Sequence, residues 1–308
     1  MKTVPQQRGR PWRSAFRLGL LHGLIRFFAG RSLKFNHRLG ALLGWLFWIF
    51  GSKARNTAAE NIARCLPGLS DDEQAALTRR SLIETGKTLT ELGPIWMWPK
   101  QKIENLIVQS DRQDLIDSAL AKGHGAILLA PHLGAWELGG LITSLHYPVT
   151  VLYRPPREPA FETVLNEVRQ RFGARVVPAN RHGVKQLLLA LRRGELIAIL
   201  PDQEPSAGDG RFAPFFGHPA YTLSLVHSLI QNTGASALFG WMERLPCAAG
   251  FHLHFSEAPA GISSPDPDES LTAMNAGLAD LILQCPEQYQ WTYRRFRRQP
   301  EPSHNANN

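Results

Sequence analysis

The chain has 308 residues, of which 44% are hydrophobic and 19% charged, and this composition excludes a wholly disordered protein. Its formal net charge is +8, but residues 1–59 hold eleven basic residues and no acidic one, so the rest of the chain is close to neutral. That distribution argues against a nucleic-acid-binding protein. The three widely spaced cysteines, Cys65, Cys247 and Cys285, exclude a disulfide scaffold and favour a reducing compartment.

Residues 1–54 are predicted to form a basic, amphipathic segment that docks on a membrane. Leu18, Leu21, Ile25 and Phe28 follow one another at helical spacing, with arginines between them and before them. A helix with one apolar stripe and a basic polar face is typical of segments that lie on anionic lipid.

The apolar stretch at residues 39–52 contains Trp45 and Trp48 but no charged residue. A helix of fourteen residues covers about 21 Å, whereas a spanning helix needs about 20 residues. We therefore expect this stretch to enter the membrane interface, where tryptophan is enriched, without crossing the bilayer. Two alternatives stay open: a secretory signal peptide, which the late start of the apolar run disfavours, and a helical hairpin buried in the protein core.

Residues 55–110 are predicted to form a helical subdomain. Ser70 and Glu73 have the spacing of a capping box, in which each residue's side chain bonds the other's backbone at the start of a helix. The helix is expected to run to about Thr90. Residues 92–94, which include a proline, should break it, because proline lacks the amide hydrogen that a helix needs.

Residues 111–300 are predicted to form a single α/β domain with a largely parallel sheet flanked by helices. Short apolar runs alternate there with helical patterns, and this alternation is typical of β-α-β units. Residues 301–308 are expected to be a frayed polar tail. The predicted strands are residues 126–130, 149–153, 175–177, 196–200, 236–242 and 251–255, and the predicted helices are residues 136–145, 161–172, 184–193, 222–231 and 269–284.

His132 and Glu137 are the sharpest candidates for catalysis. His132 follows the first predicted strand, and Glu137 lies five residues later, at the start of the next helix. Sites in open α/β sheets lie at the carboxyl ends of strands. If the chain turns at Gly134, the carboxylate can reach the imidazole and fix its tautomer, so that His132 acts as a general base on a hydroxyl. The alternative is a helix-capping histidine beside a solvated glutamate.

Three more charged residues are candidates for binding substrate. Arg154 and Asp202 each follow a predicted strand, and Arg169 lies on a predicted helix between them. Arginines beside a His–Glu pair can hold a phosphate, or an acyl carbonyl oxygen as charge develops on it. For Arg169 the alternative is a solvated helix face or a salt bridge with Glu162 or Glu167. No further His or Cys shows ligand spacing nearby, so no metal site is predicted.

Several segments, in order along the chain, resemble the late lipid A acyltransferases of Gram-negative bacteria, the lauroyl and myristoyl transferases of the glycerolipid acyltransferase superfamily. His132 and Glu137 match the H-x4-D/E motif of that superfamily. Many relatives carry Asn where this chain has Ala135. The matching segments are RNTAAENIARCLPGLS (55–70), APHLGAWELGG (130–140), YRP (153–155), LPDQEP (200–205), FAPFFGHPAYT (212–222) and PEQYQWTYRRFRRQPE (286–301).

The resemblance implies an O-acyltransferase that moves a fatty acyl group from acyl carrier protein to a hydroxyl of a lipid A precursor, at the cytoplasmic face of the bacterial inner membrane. It implies His132 as base with Glu137 as its partner, and it places an arginine and an aspartate needed for activity at Arg169 and Asp202. Arg154 is a weaker correspondence.

The implied partners are acyl carrier protein, an anionic lipid acceptor and the membrane surface, without nucleic acid. No cofactor is expected, because a thioester is already activated. The alternatives are acylation of another lipid or glycolipid, and a catalytically silent lipid-binding module.

Overall fold

The computed structural model describes residues 11–155 and 159–300, which form eleven α-helices and nine β-strands. The predicted tail at residues 301–308 and the first ten residues of the predicted docking segment lie outside the described residues. The helices are α1 (Pro11–Ala29), α2 (Leu33–Ile49), α3 (Lys53–Cys65), α4 (Asp71–Met97), α5 (Lys100–Glu104), α6 (Asp114–Leu120), α7 (Trp136–His146), α8 (Pro159–Gln170), α9 (Arg181–Arg192), α10 (Leu225–Thr233) and α11 (Pro267–Gln284). The strands are β1 (Ile107–Asp111), β2 (Ala126–Leu129), β3 (Val149–Tyr153), β4 (Arg175–Pro178), β5 (Leu196–Ile199), β6 (Gly210–Phe215), β7 (His218–Leu223), β8 (Ser236–Arg244) and β9 (Phe251–Glu257).

Seven strands form one sheet in the order β1-β9-β8-β2-β5-β3-β4. The strands from β8 to β4 are parallel, β9 runs antiparallel to β8, and β1 runs parallel to β9. Strands β6 and β7 form a separate antiparallel hairpin. The predicted α/β fold with a largely parallel sheet flanked by helices is confirmed.

The two central strands position the site. Strands β2 and β5 are buried along their whole length, as expected of parallel strands covered on both faces. Helices α9, α10 and α11 contribute to the core on one face, and α6, α7 and α8 to the core on the other. Because β2 and β5 are parallel neighbours, the segments that follow them emerge at the same edge of the sheet.

Two local predictions are wrong. The capping box at Ser70 and Glu73 is present, but α4 continues through Pro94 to Met97. Buried Ile95 and Trp96 anchor its last turn in the core, and that packing outweighs the hydrogen bond that proline removes. The helix predicted at residues 222–231 starts later, at Leu225, because Thr222 belongs to hairpin strand β7.

Helix α2 packs against α4 through small and polar residues. Gly40 and Gly44 lie so close to α4 that a side chain at either position would collide with its backbone. Asn36 and His37 are buried on the same face. Since the small residues face the protein, the large apolar ones face outward, the reverse of an ordinary amphipathic helix. The exposed large apolar side chains of α2 are Phe35, Leu42, Trp45 and Ile49.

The apolar stripe predicted on α1 faces the protein instead of lipid. Ile25 is buried, and Leu18, Leu21 and Phe28 are half-buried. From Leu18 onward, the large apolar side chains that α1 exposes lie on its other face and are Leu20, Leu24 and Phe27. A hairpin buried in the core, the alternative for this segment, is therefore not formed.

No helix among the described residues combines the length and the hydropathy that crossing a membrane requires. The predicted domain boundaries at residues 54 and 110 stay predictions. Strand β1 spans the second of them, since it runs from Ile107 to Asp111 and pairs with β9 of the main sheet.

Candidate active site

His132 and Asp202 meet at the carboxyl edge of the sheet. Each lies three residues beyond its strand, His132 after β2 and Asp202 after β5. The imidazole Nδ1 is 2.8 Å from Asp202 Oδ1, and the backbone N–H of His132 donates to Asp202 Oδ2 at 3.0 Å. One carboxylate therefore fixes both the ring and the backbone of His132.

The hydrogen bonds decide which ring nitrogen of His132 carries the proton. A carboxylate can only accept, so Nδ1 of His132 donates to Asp202 and Nε2 of the neutral ring is an acceptor. The side-chain amide of Gln203 donates to that Nε2 at 3.2 Å and also to Gln290 Oε1 at 3.0 Å. The backbone N–H of Gln290 in turn donates to the carbonyl of His132 at 3.0 Å. The bond to Asp202 thus fixes the tautomer in which Nε2 carries a lone pair, as a general base requires, and in this structure the Gln203 amide occupies that lone pair.

Asp202 is 1% exposed. Burial by itself would raise the pKa of Asp202, but the charge and hydrogen bonds of His132 outweigh burial and lower that pKa below its ordinary value. Asp202 is therefore a carboxylate at neutral pH. A buried carboxylate behind an imidazole orients the ring and stabilises the imidazolium that forms when the ring takes a proton.

The expected hydrogen bond between Glu137 and His132 is not formed. Glu137 instead accepts from Arg169, with Oε1 2.5 Å from Nη2 and Oε2 3.4 Å from Nε. The reason is the loop before α7. The backbone N–H of Gly134 donates to Gln288 and that of Ala135 to Met242, so the loop is tied to its neighbours and does not fold Glu137 back onto the imidazole.

The ion pair between Glu137 and Arg169 is partly buried, with side-chain exposures of 11% and 26%. Burial lowers the pKa of the Arg169 guanidinium, but Glu137 more than compensates and raises it. The alternative partners considered for Arg169 are not used. Glu162 accepts a hydrogen bond from the Tyr153 hydroxyl at 2.5 Å.

A cavity of about 530 Å³ opens at this edge of the sheet. His132, Glu137, Arg154 and Arg169 all line it, whereas Asp202 is buried behind His132. The structure thus brings the five predicted residues together, with Asp202 in the position that the sequence assigned to Glu137. The apolar part of the lining includes Leu141, Val151, Leu165, Ile199 and Leu223.

Two residues of the site were not predicted. Gln203 follows Asp202 directly and lay within a segment already quoted, but an amide has no catalytic signature in sequence. Gln290 reaches His132 from the far end of the chain, and the hydrogen bonds of both glutamines depend on tertiary structure. Trp136 also contacts the site, since its ring centroid lies 5.2 Å from that of His132 in an edge-to-face arrangement.

Comparison with known proteins identifies the family of the chain. The model of the bacterial lipid A biosynthesis acyltransferase family matches residues 19–298. A lipid A biosynthesis palmitoleoyltransferase of Escherichia coli (strain K12) is 27% identical over 263 residues, which are 85% of each chain. The lauroyltransferase of the same strain is 28% identical over 268 residues, 86% of each chain. The myristoyltransferase is 25% identical over 263 residues, which cover 84% of this chain and 80% of its own.

A histidine held by a buried carboxylate, a cavity with both charged and apolar lining and a family match over most of the chain lead to the same conclusion. The chain belongs to the bacterial lipid A biosynthesis acyltransferase family, and it is an O-acyltransferase of lipid A biosynthesis.

Proposed function

We propose that the protein transfers a fatty acyl group from acyl carrier protein to a hydroxyl of a lipid A precursor, with His132 as the general base. The observation that carries the proposal is the orientation of His132, whose Nδ1 is bound to Asp202 and whose side chain lines a cavity with both charged and apolar residues. A neutral imidazole held in this way accepts a proton from an alcohol as the alcohol attacks.

In the proposed reaction His132 first takes a proton from the acceptor hydroxyl and then gives it to the leaving thiolate. The acceptor hydroxyl attacks the thioester carbon while its proton passes to Nε2 of His132. The tetrahedral intermediate then collapses, the carbon–sulfur bond breaks, and the leaving thiolate takes the proton from the imidazolium. Asp202 stabilises the positive charge that the ring carries between these steps. No cofactor or metal takes part in the proposed reaction, because the thioester supplies an activated acyl group.

We assign Glu137 and Arg169 a joint role on the cavity wall. Arg169 is held by Glu137 in a fixed direction, and a fixed guanidinium can stabilise negative charge on an acyl oxygen or a phosphate. Arg154 lies exposed at the same cavity. Its charge suits the anionic groups of a lipid A precursor or of the acidic carrier protein.

The outward faces of α1 and α2 support docking on the cytoplasmic face of the inner membrane. Exposed Trp45 and Ile49 lie one turn apart on α2, and exposed Arg31 stacks its guanidinium over Phe27 and Phe35. Aromatic and apolar side chains next to cations bind the headgroup region of anionic membranes. A lipid acceptor is reached most readily from such a position.

Docking is tested with vesicles that contain anionic phosphatidylglycerol. Trp45→Glu combined with Ile49→Glu should reduce the fraction of protein that sediments with the vesicles, whereas Leu283→Glu, an exposed leucine on α11, should leave it unchanged. Equal sedimentation of the double variant and the wild type would assign docking to another surface.

The catalytic proposal is tested with purified protein, acyl carrier protein thioesters and separate acceptors. His132→Ala should lower kcat/KM by about 10²- to 10⁴-fold, while His182→Ala, an exposed histidine on α9, should not change it. Near-normal turnover by His132→Ala would remove the proposed base. Mass spectrometry of the products identifies the acceptor: transfer to a lysophospholipid or glycolipid in place of a lipid A precursor would replace the acceptor, and no transfer to any of them would favour a silent lipid-binding module.

A further inference from the structure

A second cluster of chemically active side chains lies on the antiparallel side of the sheet, two strands away from β2. It is formed by Asp111 at the end of β1 and by His252 and His254 on β9. One ligand atom from each of the three lies within 4.8 Å of the others. Asp111 and His254 are paired in the sheet register, and the two histidines alternate with buried Phe251, Leu253 and Phe255. All three side chains therefore project from the same face of the sheet.

We infer that this cluster binds a divalent transition-metal ion such as Zn²⁺, through Asp111 Oδ2, His252 Nε2 and His254 Nδ1. Two imidazoles and one carboxylate form a donor set that zinc favours, and three protein ligands leave a further position for water. The proposal does not depend on acyl transfer, and the site is separate from the cavity of His132.

The contacts between His252 and Asp111 are the first observation that supports a metal site. His252 Nε2 is 2.7 Å from Asp111 Oδ2, yet this nitrogen is shielded from solvent and makes no hydrogen bond within the described part of the chain. Two ligand atoms held by one zinc ion at about 2.0–2.1 Å in a tetrahedral arrangement lie about 3.3 Å apart, so a bound ion would move this nitrogen and this oxygen apart by about half an ångström. His254 Nδ1 is 3.7 Å from the same oxygen.

The outer hydrogen-bond partners of His254 and Asp111 also support a metal site. The Nε2 of His254, the nitrogen that points away from Asp111, lies 2.9 Å from Glu243 Oε2 on β8. Gln109 donates to Asp111 Oδ1 at 3.1 Å, which leaves Oδ2 for the cluster. Metal-binding histidines commonly donate their second N–H to a carboxylate, which directs the other nitrogen's lone pair at the metal. This pattern is present here for His254.

Packing fixes the remaining freedom of the rings. The buried Trp241 ring stacks on His254 with a centroid distance of 4.4 Å and an interplanar angle of 12°. The rings of His252 and His254 lie 3.7 Å apart. Two imidazolium ions at this separation would repel each other, whereas two neutral rings can share one cation. Because β1 is an edge strand, a bound ion would also fasten it to β9.

The test is titration of the full-length protein, freed of metal by a chelator and dialysed, with Zn²⁺ against a chromogenic zinc indicator and with Co²⁺ followed by visible absorption. The wild type should bind one equivalent per chain. His254→Ala and Asp111→Asn should each weaken binding by about 100-fold or more, and Glu243→Gln by about 10- to 100-fold. Zn²⁺ should also raise the unfolding temperature of the wild type but not that of His254→Ala.

His132→Ala and His182→Ala are the controls and should bind Zn²⁺ like the wild type, which separates this site from the acyl-transfer site. Asp111 is 44% exposed in its side chain, so Asp111→Asn tests the site even if a histidine variant fails to fold. The inference is overturned if the wild type binds no Zn²⁺ at micromolar concentration, or if Asp111→Asn and His254→Ala bind it unchanged. Loss of binding in His132→Ala alone would move the site to the acyl-transfer cavity.

Discussion

Two histidine–carboxylate pairs in this protein have similar geometry and different surroundings. His132 and Asp202 are 2.8 Å apart, and His37 and Glu91 are 3.0 Å apart. The first pair opens on a cavity through Nε2 of its imidazole. The second is enclosed between α2, α4 and β8, where Arg244 bonds both oxygens of Glu91. A histidine beside a carboxylate is therefore not in itself an active site, and access to the second ring nitrogen makes the difference.

The enclosed pair belongs to a buried ion cluster. Burial would raise the pKa of Glu91, but the charge of Arg244 and the hydrogen bonds from Arg244 and His37 outweigh it, so the pKa of Glu91 is lowered. The backbone N–H of Arg244 donates to the side-chain oxygen of Gln288, and the side-chain NH2 of Gln288 donates to the backbone carbonyl of Arg244. The backbone carbonyl of Gln288 accepts from the N–H of Gly134, in the loop beside His132. The cluster thus joins the N-terminal helices to the site as a structural support.

Asp202→Asn tests most directly whether the carboxylate of Asp202 orients His132 for catalysis. The asparagine amide can donate to Nδ1, which favours the wrong tautomer of His132, so kcat/KM should fall by about 10³- to 10⁴-fold while the fold persists. Steady-state kinetics with acyl carrier protein thioester measures the loss. Asp280→Asn, at an exposed position on α11, is the control. A loss smaller than about tenfold in kcat/KM would mean that Asp202 does not orient the base.

Glu91→Gln should lower the stability of the fold and leave the catalytic rate of the folded protein unchanged. Removing one member of a buried ion pair leaves Arg244 insufficiently compensated and should lower the free energy of unfolding by about 3–5 kcal/mol. Chemical denaturation measures this value, and kcat of the protein that remains folded should stay near that of the wild type. Glu60→Gln on α3, an exposed position, should change neither quantity. A destabilisation below about 1 kcal/mol, the scale of a surface ion pair, would contradict a structural role.

The cavity itself is tested at Gly140, where an added Cβ would meet no atom within 4 Å. Gly140 lines the cavity on α7, so a leucine there should fit the helix while occupying space meant for an acyl chain. Gly140→Leu should shift selectivity towards shorter acyl chains by about tenfold or more, and Gly140→Ala by less. Competition between acyl carrier protein thioesters of different chain lengths measures the shift. Unchanged selectivity would place the acyl chain elsewhere.

The smallest expected effect is on the pH dependence of stability. The pKa values of Asp202 and Glu91 are lowered in the folded protein, so the unfolded chain binds more protons than the folded one in acid. Their contribution is present above the ordinary carboxyl pKa of about 4 and is lost as pH falls through the lower folded values. Denaturation at a series of acidic pH values should show stability falling with pH, with a shallower slope in Glu91→Gln. Equal slopes would assign the dependence to other carboxyl groups.

The sheet and the position of the candidate site could be predicted from the amino-acid sequence. Apolar runs at β2 and β5 predict buried parallel strands, and parallel neighbours place His132 and Asp202 at one edge because their carboxyl ends coincide. The sequence did not predict that Asp202, and not Glu137, binds the imidazole, because this depends on the directions of the side chains in the fold and on the hydrogen-bonded loop at Gly134. The fold also sets the partner of Glu137, which is Arg169. It likewise decided which face of α2 meets the protein. Sequence periodicity shows where apolar residues recur along a helix. The face of α2 that packs against α4 is instead selected by the close approach of the two backbones at Gly40 and Gly44.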